Sequence, residues 1–303
     1  MAVGVVDSEQ HIHYEGKESS LGRTEDELVE DLGRELLEAK DARPDVLCAG
    51  LGIPATIDHD RGVAIQAVNL EISDVPLRDL MREKLGLPVY IDNDANVAAL
   101  AEFLFGAGRG ARNVVMLTIG TGIGGGLILD GEIYRGSIGA GAELGHIVVK
   151  EDGPPCQGNC PNHGCVETYA SGTAIAREGT AAAEREPDSA LGKALAEGPI
   201  VGKTVTELAI KGDSLASEVV AEAGRHLGVA LASLANIFDP DVILIGGGVS
   251  AVGDVLLEPA RKELQSRALP PMNKTPVQLA ELGPEAGMIG AAAMALIELD
   301  KES

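Results

Sequence analysis

Tryptophan is absent from the 303-residue chain, and aromatic residues make up only 2% of it. A core here has to be packed from Ala, Val, Leu and Ile and from close glycine contacts. Basic residues are also scarce: 24 Lys and Arg stand against 47 Asp and Glu, a formal net charge of −23. That balance argues against nucleic acid and against anionic membrane surfaces as partners. No uninterrupted apolar run reaches the roughly 20 residues of a membrane span. The opening MAVGVVDSEQ has neither a basic n-region nor a long apolar stretch. No targeting segment is expected there, and the expected location is the cytoplasm.

Cysteine is scarce too, and three of the four cysteines fall in one stretch, P-P-C-Q-G-N-C-P-N-H-G-C-V-E, ending at Glu167. The fourth, Cys48, sits in the apolar run Val46–Leu51 and reads as an inert buried thiol. A disulfide would use two of the three loop cysteines and strand the third, and disulfides are rare in the cytosol. An iron–sulfur cluster usually takes four thiolates, and no fourth lies near. Cys156, Cys160 and Cys165 with His146 form a Cys₃His set, which suits a structural zinc ion. His163, inside the loop, is the alternative fourth ligand. The loop is rich in Gly, Pro and Asn and has almost nothing apolar to fold around, so a metal cross-link would fix its shape. Glu143 and Glu167, at its two ends, would then be held for another ligand.

Along the chain, residues 2–6 and 11–15 read as strands joined by a turn. Thr24 and Glu27 form a capping box, and Leu28, Leu32 and Leu36 continue a helix to about Lys40. Strands are expected at Val46–Leu51 and Leu87–Asp92, with a helix over Leu77–Leu85 between them. Asn93-Asp94 opens a helix, Ala95–Phe105, stopped by Gly106. After a Gly/Arg linker come a strand at Val114–Ile119, a glycine loop at Gly120–Gly125 and a strand at Gly126–Leu129. A hairpin turn at Asp130-Gly131 leads to Glu132–Tyr134. Helices are expected over Val166–Glu178, near Val205–Ile210 and over Ser214–Ile237. The chain closes with strand Asp241–Ile245, helix Val255–Leu264, strand Val277–Leu279 and helix Ala286–Leu299. Alternating strands and helices give an α/β fold.

The two halves invite comparison. The second begins strand, glycine loop, strand, turn, strand; the first begins strand, turn, strand. If both copy one unit, the leading strand and glycine loop of the first copy are missing from this chain.

Gly120-Thr121-Gly122-Ile123-Gly124-Gly125 satisfies G-x-G-x-x-G but leads into a strand and hairpin, where a dinucleotide fingerprint leads into a helix. That excludes the Rossmann reading and, with it, a nicotinamide oxidoreductase. Between antiparallel strands such a loop can offer backbone N–H groups to phosphate, helped by the Thr118 and Thr121 hydroxyls. The alternative is a plain tight hairpin, although a two-residue turn needs fewer glycines. Gly246-Gly247-Gly248 puts bare backbone at the C-terminal end of a strand, where α/β proteins bind ligands. A close helix–strand contact would explain it as well.

Asn93-Asp94-Ala95-Asn96 lies where a strand hands over to a helix. Asp94 could be an N-cap, but Asn93 or Asp92 could cap equally well and leave its carboxylate free. A carboxylate is what an alcohol needs when it attacks a phosphoryl group, since the proton leaves late and a weak base suffices. The helix dipole is expected to keep Asp94 ionised rather than raise its pKa.

These motifs, in this order, resemble the ROK sugar kinases, bacterial glucokinases foremost: N-D-A-N, L-T-I-G-T-G-I-G-G-G, E-L-G-H, C-P-N-H-G-C-V-E and D-P-D-V-I-L-I-G-G-G-V. The match runs from roughly residue 46 to 290. The resemblance implies a two-lobed actin-like ATPase, or ribonuclease H-like, fold. The small lobe would take residues 1–107 and 288–303, and the large lobe 108–287. It implies ATP- and Mg²⁺-dependent phosphorylation of a hexose, usually glucose at its 6-hydroxyl, by a homodimer. Asp94 matches the family's general base, while Asn93, Glu143, His146 and Glu167, joined by Asn69, match its sugar ligands. Gly120, Thr121, Gly122 and Gly124 with Thr118, and Gly246 to Gly248, would meet the nucleotide. Two departures stand out. The cysteine spacing is C-x₃-C-x₄-C in place of C-x-C-x₄-C. The family's opening strand, ending D-x-G-G-T, has no counterpart, so the expected fold lacks the first strand of its N-terminal lobe. A sugar-binding protein without catalysis is therefore the rival reading. A repressor of the same family would carry a DNA-binding domain, for which this chain has neither the room nor the charge.

Overall fold

The computed structural model describes residues 1–19, 22–67 and 72–302. The first elements are β1 (Ala2–Val6), β2 (Ile12–Lys17), α1 (Glu25–Ala42), β3 (Ala49–Ile53), β4 (Ala55–Asp58), β5 (Val63–Ala67) and β6 (Ser73–Val75). Then come α2 (Leu77–Leu85), β7 (Val89–Asn93), α3 (Asp94–Phe105), β8 (Val114–Ile119), β9 (Ile123–Leu129) and β10 (Glu132–Ile133). Helices α4 (Glu167–Ala170), α5 (Gly172–Arg185), α6 (Ala190–Glu197), α7 (Gly202–Ile210) and α8 (Ser214–Phe238) follow. The chain ends with β11 (Val242–Gly246), α9 (Asp254–Arg267), β12 (Val277–Leu279) and α10 (Ala286–Glu302). Among the described residues no helix is long and apolar enough to cross a membrane. The chain divides into two compact units: Met1–Arg109 with Glu132–Ala142 and Pro284–Ser303, and Gly110–Gly131 with Glu143–Gly283.

In the first unit, α1 starts where the sequence says it should. Thr24 accepts from the Glu27 amide while the Glu27 side chain takes the Thr24 N–H, and both halves of the capping box are present. Strands β3 and β7 pair in parallel from Ala49↔Val89 to Ile53↔Asn93. Around them Leu51, Ile57, Ala64, Met81, Val89 and Ile91 form a core that also takes in α2 and the β4–β5–β6 sheet. The strand expected at Val46–Leu51 begins only at Ala49, and Leu47 is exposed, because residues 43–46 are spent on closing the turn after α1. Glycine lets the backbones approach closely: a Cβ at Gly50 would strike the Ala291 carbonyl of α10, and one at Gly290 the Val97 carbonyl of α3.

Among the described residues β1 pairs only with β2, and β3 only with β7. Between β1 and β3 lies a cavity of about 750 Å³. Leu28, Leu32 and Leu36 of α1 and Met288, Ala291 and Leu296 of α10 line it, with Asp94 also on its wall.

In the second unit β9, β8, β11 and β12 lie side by side, β8–β9 antiparallel and the other neighbours parallel. Helices α8 and α9 pack through glycines, since a Cβ at Gly224 or Gly228 would meet the Leu256 or Ala260 carbonyl. The reliance on small residues expected from the composition is met in both units.

Candidate functional site

In the second unit the cysteine loop brings its ligands together. His146, Cys156, Cys160 and Cys165 each offer an atom, and these atoms all lie within 4.8 Å of one another. Cys156 Sγ is 3.4 Å from His146 Nδ1, and Cys160 Sγ is 4.0 Å from Cys165 Sγ. Tetrahedral zinc with bonds of about 2.0–2.3 Å spaces its ligand atoms about 3.5–3.8 Å apart, so the set fits such an ion. The sulfurs are too far apart for a disulfide, and all four cysteines are free. Burial is the main cause pushing the Cys156 and Cys165 thiols up, so without a cation they stay protonated. A dication would displace those protons.

His163, the alternative ligand, is exposed and faces the Gly153 carbonyl at 3.3 Å. His146 lies on a 3₁₀ turn, Leu144–His146, with Glu143 at its start. Its Nδ1 faces the sulfurs while its Nε2 lies 3.9 Å from Glu143 Oε2. The loop is tightened at Gly164, which has φ +69° and whose hydrogen faces the Lys150 carbonyl so closely that no Cβ fits. Cys48, by contrast, is only half-buried, and burial raises its thiol.

Glu167, at the loop's far end, is buried, and its Oε2 accepts from the Ile123 amide at 2.7 Å. One carboxylate thus links the cysteine loop to the β8–β9 hairpin, and it explains Gly122, where a Cβ would strike Glu167. The glycine stretch is less of a loop than its sequence suggests. Ile119 pairs with Ile123, and Gly124 pairs with Thr118 inside the ladder, so only residues 120–122 turn. A glycine carries a backbone donor and acceptor like any residue, so the stretch can still join the ladder with β8.

The tip of that hairpin meets two further pieces of bare backbone. Thr118 is the parallel register partner of Gly246, which sets Gly120–Thr121 and Gly247–Gly248 at the C-terminal ends of adjacent strands. Gly247, at φ +87°, packs on the Ile119 backbone, whereas added Cβ atoms at Gly120 and Gly248 would meet nothing within 4 Å. The third piece is the start of α5. The helix expected over Val166–Glu178 breaks at Ser171, which adopts an extended conformation and caps α5 by accepting from the Ala174 amide. The Gly172 N–H donates to the Gly120 carbonyl at 2.8 Å, and Thr173 Oγ1 to the Thr121 carbonyl at 2.9 Å. Gln157 of the cysteine loop donates to Ser171 Oγ at 3.2 Å. Strand ends of this kind beside a helix N-terminus suit an anionic group.

In the first unit, Asn93 is the N-cap of α3: its Oδ1 accepts from the Ala95 and Asn96 amides. Asp94 is thereby relieved of capping. It keeps exposed area but sits in a recess on the cavity wall, and desolvation there raises its carboxyl pKa. Its bond from the Ala95 amide pulls the other way and is outweighed. The expectation that the helix terminus would hold this pKa down is corrected: loss of water around the carboxylate is the larger effect. Asn69 lies outside the described residues.

The ROK family model matches residues 1–298. The chain belongs to the ROK family. It is 41% identical to a glucokinase of Halalkalibacterium halodurans over 87% of this chain and 80% of that one. It superposes on a Streptomyces griseus ROK glucokinase solved with glucose and AMPPNP at a TM-score of 0.86. That match has 37% identity and covers 97% of this chain and 95% of the other. A xylose repressor of Caldicellulosiruptor bescii is 29% identical over 84% of this chain and 63% of its own. The α/β fold is the two-lobed actin-like one of the ROK glucokinases.

In this ROK chain the sequence motifs pointed to Asp94, Glu143, Glu167 and the clustered His146, Cys156, Cys160 and Cys165, but not to Ser171, Gly172 and Thr173. The dipeptide Ser171-Gly172 was the available signal: Ser favours an N-cap, and S-G marks a break.

Proposed function

We propose that the chain is an ATP-dependent hexose kinase that phosphorylates glucose at its 6-hydroxyl. The observation that carries the reading is Asp94: a carboxylate at a helix start, freed from capping by Asn93 and desolvated in a recess. Such a group accepts the hydroxyl proton as the phosphoryl group transfers, and its raised pKa makes it a better base than an ordinary aspartate. Asn93, Glu143, His146 and Glu167, with Asn69, are the proposed sugar ligands. The nucleotide is assigned to Thr118, Gly120, Thr121, Gly122 and Gly124 and to Gly246, Gly247 and Gly248. Mg²⁺ supplies charge neutralisation at the phosphates. Zinc, held by His146, Cys156, Cys160 and Cys165, keeps Glu143 and Glu167 in place. The assembly that goes with this reading is a homodimer.

The test is purified protein with glucose and Mg-ATP in a coupled assay for glucose 6-phosphate. Turnover is expected, and Asp94→Ala should lower kcat by at least about 10²-fold. The repressor among the relatives favours a second reading, sugar binding without phosphoryl transfer. Glucose binding by a protein that yields no hexose phosphate would select it.

A further inference from the structure

The segment Glu132–Ala142 belongs to the first unit although the chain on either side of it belongs to the second. Within it Arg135 is fixed from both ends. Its carbonyl accepts from the Gly141 amide at 2.9 Å, closing a compact loop, and Gly139 packs against the Ile57 carbonyl. The guanidinium reaches inward: Nε donates to Asp92 Oδ2 at 2.6 Å, and Nη2 lies 3.7 Å from Glu298. Asp92 is almost wholly buried at the end of β7. Its other oxygen accepts from the Asn93 amide at 2.7 Å and from Asn96 Nδ2 at 2.9 Å. Asn93 in turn caps α3 and donates to the Ala55 carbonyl at 3.2 Å.

We propose that Arg135 is a positioning residue for the reaction, acting through Asp92 and Asn93 to set the backbone from which Asp94 projects. The inference rests on the hexose-kinase reading. Arg135 is the cation that pairs with Asp92. A buried carboxylate holding two bonds to the first turn of α3 and one to Arg135 is a rigid joint. Without the guanidinium, Asp92 draws water or turns away, and the bonds to the Asn93 amide and the Asn96 side chain go with it. The chemistry at Asp94 depends on where the carboxylate points, so a small tilt of the α3 N-terminus acts on kcat before it acts on nucleotide affinity.

The variants are Arg135→Gln, Arg135→Lys and Arg135→Gln combined with Asp92→Asn, measured beside the wild type. For R135Q, kcat is expected to fall by roughly 10²-fold with the KM for ATP unchanged. The Ala95 and Asn96 amides, which Asn93 holds, should exchange hydrogen faster. R135K, which keeps the charge but not the planar fork, should recover part of kcat. The double variant should lose no more than R135Q, because both substitutions break one joint. A wild-type kcat in folded R135Q, with unchanged exchange at Ala95 and Asn96, overturns the proposal. So does a loss that disappears once temperature is lowered until R135Q is fully folded, which is the mark of a merely structural role. Should R135Q fail to fold, the same two measurements on R135K decide. A wild type that makes no hexose phosphate sinks the kinase reading instead, and the exchange rates still report on the joint.

Discussion

Asp94 has a thermodynamic signature as well as a chemical one. Its folded pKa is raised by desolvation, so in the titration window the folded chain binds more protons than the unfolded one. Stability therefore falls as pH rises above the unfolded value of about 3.9, by an amount that the exposed part of the side chain reduces. Asp94→Asn should abolish turnover and yet raise the melting temperature at neutral pH by about 1–3 °C. The gain should shrink to nothing as pH is lowered below that value; scanning calorimetry across pH checks it. A carboxylate in the right motif could be found by reading residues in order. Its pKa could not, because desolvation comes from residues brought together by β7, α3 and the cavity wall. The same holds for Glu167: its place beside the cysteines was plain, but its bond to Ile123 joins residues 44 positions apart.

The cysteine loop and the strand–helix junctions are the elements on which the site depends. The loop has few apolar residues, and its shape rests on the Cys₃His set, on Gly164 and on the Gln157–Ser171 bond. Protein purified without chelators should carry about one zinc per chain, read by elemental analysis. Cys160→Ser should lose that zinc and weaken hexose binding, since Glu143 and Glu167 flank the loop. The cysteines were legible because ligand count and spacing are local. The junction at Ser171 was not, because a short α4 and a longer α5 share one apolar pattern and only the cap separates them. The small β4–β5–β6 sheet went unread for a related reason. Its strands are three to five residues long, and β4 follows β3 across a single residue, Pro54.

At the level of the whole chain, the order of strands and helices and the family motifs made the α/β class and its actin-like form legible, while two features of the units needed coordinates. The return of Glu132–Ala142 to the first unit depends on an ion pair, Arg135–Asp92, and on loop glycines that no periodicity announces. The cavity between β1 and β3 is the other. Only the fold shows that α1 and α10 line an open space there rather than closing over it.

That opening has a price in cooperativity. Two ribbons of sheet that share helices but, among the described residues, no ladder can melt apart, so heating should give two calorimetric transitions, the first removing protection from β1, β2 and α1. An environment-sensitive apolar dye should brighten on the native protein before that transition, taken up against the leucines of α1 and the α10 face. A peptide of strand-forming sequence that bridged the ribbons would quench the dye and merge the transitions into one.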